Sequence, residues 1–218
     1  MMDEDQIVYP KQGDTLIDQT QPRVLFTDWF AGDWHAFPFA YKAAADALVG
    51  ILEADRGNHT LVPNDKYVFP ILYLYRHFVE LQLKSCIVQL DNFTGQKIGK
   101  FKSHDLLKLW SHIKDNLHHL THSQVNLGGI AVLDQLIIEL SDLDDKSTSF
   151  RYPGEHSQTT RLPRSISMDN LKCVMTAIEN SLSLIDQAID SEKSYWYAQD
   201  LNWTEDEYSV PWNNFVYY

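Results

Sequence analysis

The sequence predicts an all-α protein: a four- to five-helix bundle between an extended N-terminal arm and an aromatic C-terminal tail. Two observations carry that expectation. Apolar residues recur every three or four positions in five separate segments, the period of helices with a buried face. No segment shows the alternation of a half-buried strand, and no internal repeat is present. The 218 residues, 44% hydrophobic and 22% charged, suffice for one ordinary globular core with arms.

Residues 1–32 hold Pro10, Gly13, Pro22 and Gly32, scattered acids and little periodicity, and are expected to form the arm. The first helix is expected from a cap at Asp33 to about Asp55. Its regular part starts near Pro38, and Ala43, Ala44, Ala47, Leu48, Ile51 and Leu52 fall at helical spacing before Arg56-Gly57-Asn58 ends it. The second helix is expected over 66–92. Pro70 belongs in its first turn, and Leu72, Tyr75, Val79, Leu83, Cys86 and Leu90 share its stripe. Glu80 and Lys84 stand in the order of a solvent-facing i, i+4 pair.

A loop with Gly95, Gly99 and three lysines leads to a third helix, capped at Ser103. His104 and Asp105 lie in its first turn, and Leu106, Leu109, Trp110 and Ile113 form its stripe. The fourth helix is expected over 124–143, with Ile130, Leu133, Leu136, Ile137 and Leu140 inward. An acidic stop, DLDDKSTS, and an irregular connection with Pro153, Gly154 and Pro163 follow. The fifth helix runs from Met168 to about Ser191, with Leu171, Val174, Met175, Ile178, Leu182, Ile185 and Ile189. The bundle therefore spans 33–192, and 193–218 form the acidic aromatic tail. Its aromatics stand among acids, which suits docking onto the bundle or a partner subunit better than stacking on single-stranded nucleic acid.

The net charge of −12 argues against general nucleic-acid coating. Residues 66–114 depart from it, with eight lysines and arginines against three acids, a local charge of +5. That segment can hold an anionic ligand or pair with the chain's own acids, and the second is the simpler expectation. No apolar run approaches the roughly 20 residues of a membrane span, and the acidic N-terminus is not a secretory signal. Cys86 and Cys173 sit in apolar helical patterns, as buried free thiols of a cytoplasmic protein would.

No metal or other cofactor is expected. His118 and His122 of HHLTH are spaced to share a helix face, but no acid lies between them and no HExxH or CxxC is present. A nucleophile elbow and a Walker-type phosphate loop are also absent. Three polar stretches remain. LYRHFVELQLK brings Arg76, His77 and Glu80 within one helical turn, as a weak surface ion pair or as a polar network inside the bundle. SHDLLKLW adds His104. FRYPGEH holds Arg151 and His156 around Pro153-Gly154, either a surface turn or a catalytic pair.

Together, LYRHFVELQLK, SHDLLKLW and FRYPGEH before a final helix resemble the HEPN superfamily (higher eukaryotes and prokaryotes nucleotide-binding), over roughly residues 35–190. The likeness is to bacterial HEPN-like proteins of poorly defined function, some of them linked to toxin–antitoxin or phage-defence loci. The resemblance implies a dimerising helical bundle and a metal-independent ribonuclease whose motif is arginine, four to six residues, then histidine. Arg151 and His156 match that spacing between the fourth helix and the last, with Tyr152 where the family usually has a polar residue. It implies His156 as general acid/base, Arg151 as the stabiliser of phosphate charge, and Arg76, His77, Glu80 and His104 in support. The expected partners are a second copy of the chain, RNA or a nucleotide, and an antitoxin or other protein, with no membrane. The other expectation is a non-catalytic HEPN-like module that binds a nucleotide or a protein, and a third is a subunit of a larger assembly held by the tail. A folded-back loop would bring Arg151 to Glu80 or to the Arg76, His77 and His104 group.

Overall fold

The structure, a computed structural model, describes residues 36–54, 64–95, 103–123, 128–144, 147, 150–151 and 165–199. They form five helices: α1 (Ala36–Ala54), α2 (Val68–Thr94), α3 (Leu106–Asn116), α4 (Ile130–Leu143) and α5 (Met168–Gln199). Short 3-10 turns precede α2 at Asn64–Tyr67 and follow α3 at Leu117–His119. No described residue forms a strand, so the all-α bundle is what the sequence predicts. No described helix is long and apolar enough to cross a membrane. The N-terminal arm, the 96–102 loop and residues 200–218 lie outside the described residues.

Helix α2 is the axis of the bundle. It packs against α1, α3 and α5, and α4 leans on α3 and α5. Its predicted stripe, Leu72 through Leu90, is buried, but so is nearly every other position from Ile71 to Asp91. A helix enclosed all round is normally apolar. This one also buries Arg76, Glu80, Gln82, Lys84, Ser85, Gln89 and Asp91, each of which needs a polar partner. Asp186 of α5 meets part of that need: it accepts from Gln82 Nε2 at 3.0 Å, Gln89 Nε2 at 2.8 Å and Cys86 Sγ at 3.1 Å. Burial pushes the Cys86 thiol well up, and Asp186 pushes it further, so it stays protonated.

The helix ends follow their caps. Gly95 ends α2 at φ 69°, a left-handed conformation that glycine adopts without a Cβ penalty. Asp105, not Ser103, caps α3: its backbone is extended and its side chain accepts from Lys108 N, while Ser103 Oγ accepts from Asp105 N. Helix α4 starts at Ile130, later than expected, after a turn at Gly128-Gly129. Helix α5 continues beyond Ser191 to Gln199, so Tyr195, Trp196 and Tyr197 are helical.

Two burial expectations need correction. In α1 the buried residues are Pro38, Lys42, Ala45 and Val49, whereas Ala43, Ala44, Ala47 and Ile51 are exposed. Lys42 is accepted there because Asp46 and Glu179 lie 2.8 and 3.0 Å from its ammonium. Cys173 is exposed, although Cys86 is buried as expected; both are free thiols.

Candidate functional site

Arg76 occupies the middle of α2 with no solvent exposure. Its five donors force a set of acceptors around it. Nη1 meets Glu80 Oε2 at 2.8 Å, one turn along the same helix. Nη2 donates to the His104 carbonyl at 2.6 Å, and Nε donates to the Asp144 carbonyl at 3.0 Å. One guanidinium therefore ties the approach to α3 and the C-terminal end of α4 onto α2. It also satisfies a carbonyl just past α4 that has no partner within that helix. The Asp144 carboxylate lies 3.6 Å from Nε.

Glu80 gathers the rest. Its Oε1 accepts from Lys84 Nζ at 2.7 Å and contacts His104 Nδ1 at 2.8 Å. Burial alone would push this carboxyl up, but Lys84, His104 and Arg76 outweigh burial and bring it down to about 2. An ionised carboxylate can only accept, so Nδ1 of His104 carries the hydrogen of this contact. The expected solvent-facing Glu80–Lys84 pair is in fact interior, with two cations against the carboxylates of Glu80 and Asp144. Such a balanced set avoids the large cost of a lone buried charge. Of the sequence alternatives for Arg76 and Glu80, the structure shows the internal network.

Beside this network lies a more open surface. The chain passes Ser147 in the left-handed region at φ 59°, buries Phe150, and brings Arg151 to an exposed position. Arg151 Nε donates to the Ser147 carbonyl at 2.6 Å. Its guanidinium lies 5.8 Å from the Tyr73 ring centroid, within cation–π range. Tyr73 stacks on His77 at 5.6 Å, and Tyr41 meets His77 edge-on at 4.5 Å. Burial lowers the His77 pKa, and the positive charges of Lys84, Arg76 and Arg151 lower it further against the pull of Glu80. These causes favour the neutral form of the His77 imidazole.

Among the expected site residues, Arg76, Glu80 and His104 form one network, and Arg151 meets the Tyr73–His77 stack rather than Glu80. His156 lies outside the described residues. Sequence reasoning paired Lys84 with Glu80 but placed the pair in solvent, and it missed Asp144, Tyr73 and Tyr41.

The histidines of HHLTH do not share a helix face, because α3 ends at Asn116 and a 3-10 turn follows. His118 Nδ1 bonds to the Asp115 carbonyl at 2.7 Å, whereas His122 turns to Glu192 of α5 at 2.9 Å. Among the described residues, no three His, Cys, Asp or Glu side chains are grouped to hold a metal. The basic 66–114 segment is partly consumed internally: Arg76 and Lys84 by Glu80, Lys108 by Asp105 and Lys114 by Asp134. Comparison with protein-family models, curated proteins and solved structures finds no match for the chain.

Proposed function

We propose that the protein is a HEPN-like, metal-independent endoribonuclease of a defence or toxin type, acting through Arg151 and His156. The observation that carries this reading is the exposed Arg151, set on the Tyr73–His77 stack beside the buried Arg76–Glu80 network. An arginine suits the non-bridging oxygens of a phosphodiester, where its charge stabilises the transition state. In the reaction, the ribose 2′-oxygen attacks the adjacent phosphorus as its proton passes to a base. The O2′–P bond forms, the P–O5′ bond breaks, and the departing 5′-oxygen takes a proton from an acid. His156 serves as that general acid/base, and His77 is a positioning residue beside Arg151. Arg76, Glu80 and His104 hold the scaffold. Two copies pair so that both Arg–His sets share one cleft.

This chemistry needs the 2′-hydroxyl. An RNA oligonucleotide cleaved by the wild type leaves a 2′,3′-cyclic phosphate and a 5′-hydroxyl, and single 2′-deoxy substitution at the cleaved position blocks the cut. Cleavage of the deoxy substrate, or a 3′-hydroxyl product, would refute the mechanism.

The second reading is a HEPN-like module that binds a nucleotide or protein partner without cleavage. It is favoured by the commitment of Arg151 to the Ser147 carbonyl and the Tyr73 ring. RNA retained intact by folded wild type, with binding lost in Arg151→Ala, would select it.

A further inference from the structure

We propose that the pocket where α2, the Leu117–His119 turn and α5 meet binds a small organic cation of the alkylguanidinium or alkylammonium class. The pocket holds about 370 Å³ and is lined by Phe93, Thr94, His118, His119, Thr121 and Trp196. That volume is at the lower end of small-molecule sites. It lies roughly 25 Å along α2 from Tyr73 and His77, so it is distinct from the Arg151 surface and does not rest on the ribonuclease reading.

The wall chemistry selects the ligand. Trp196 is half exposed, yet its indole N–H is fixed at 3.0 Å on Glu192 Oε1, and Glu192 is fully buried. The ring is anchored through its one donor and packs T-shaped with His122 and Tyr195 at 5.3 and 5.5 Å, and its exposed half lines the pocket. Phe93 supplies a second aromatic wall. His118 Nδ1 donates to the Asp115 carbonyl, and His119 lies against its ring with centroids 3.9 Å apart.

The electrostatics point the same way. Helix α2 ends at Thr94, which lines the pocket, so the partial negative charge of its C-terminal end lies at this edge. The Asp115 carbonyl beside His118 is a further acceptor at this edge, whereas the Glu192 carboxylate is taken up by His122 and Trp196. The two aromatic walls and the C-terminal end of α2 together favour a cation over an anion or a neutral solute.

Calorimetric titration of the full chain tests this with n-butylguanidinium, its neutral isostere n-butylurea, and AMP as the anion. The guanidinium is expected to bind saturably, at least about tenfold tighter than the urea or AMP. Trp196→Ala should raise its Kd at least about fivefold, and Trp196→Phe, which keeps an aromatic wall, should restore Kd to within about threefold of wild type. Circular dichroism of both variants verifies the fold. Equal affinity for the urea, preference for AMP, no saturable binding up to about 20 mM, or an unchanged Kd in a folded Trp196→Ala variant would overturn the proposal.

Discussion

Glu80 is 1% exposed and surrounded by Arg76, Lys84 and His104, so its charge cannot be removed without leaving cations stranded. Glu80→Gln is expected to lower unfolding stability near pH 7 by about 3 kcal/mol, measured by urea denaturation. The pH dependence has a definite sign. The folded carboxyl titrates at about 2 against an ordinary 4.5, so its contribution is fully present above pH 4.5 and is lost as pH falls toward 2. That gap corresponds to roughly 3 kcal/mol, and the Glu80→Gln variant should show a correspondingly flatter stability curve through that window. Arg151→Ala should behave oppositely: an exposed side chain, with stability within about 0.5 kcal/mol of wild type by the same measurement. Arg76, Glu80 and Lys84 were legible in the sequence because they repeat at one turn, whereas Asp144 was not. Their burial was not legible either. Spacing along a helix fixes a shared face, but not whether that face meets water or another helix. Lys42 shows the same limit in reverse, because its acceptance inside the bundle depends on Glu179, more than a hundred residues away.

At the scale of elements, the caps offer the sharpest tests. Asp105→Ala removes the side-chain acceptor for Lys108 N and should cost about 1 kcal/mol, whereas Asp105→Asn should retain most of it. Gly95→Ala meets no steric obstacle, since nothing lies within 4 Å of the added Cβ, but φ 69° is unfavourable for alanine. A loss of about 1 kcal/mol is expected from backbone strain alone, read as a shift in denaturation midpoint. All five helices were foreseen from periodicity, yet several bounds moved. Ser103 and Asp105 are both capable caps, and the choice depends on backbone conformation that composition does not specify. Helix α5 outran its apolar stripe because Glu192, Tyr195 and Trp196 gain tertiary partners. His122 stacks on Tyr195 at 3.9 Å and bonds Glu192, and these contacts carry the helix beyond Ser191. The stripe of α1 was misjudged because alanines suit a helix on either face, so their spacing is a weak guide to burial.

For the whole molecule, bundle architecture followed from five amphipathic segments without strands, but the central place of α2 did not. That place depends on polar side chains finding partners on α3, α4 and α5, a consequence of assembly rather than of any single segment. The proposed activity belongs to this scale too, because the resemblance places Arg151 and His156 in a cleft between two copies. Light scattering should give a mass near twice the 25.3 kDa chain. The ribonuclease proposal is tested most directly by cleavage of a labelled mixed RNA in EDTA, comparing wild type, Arg151→Ala and His156→Ala at matched folded fraction. Wild type is expected to cleave, and each substitution to slow cleavage by at least about a hundredfold. Undiminished cleavage in folded variants, or intact RNA with folded wild type, would contradict the assignment of catalysis to this pair.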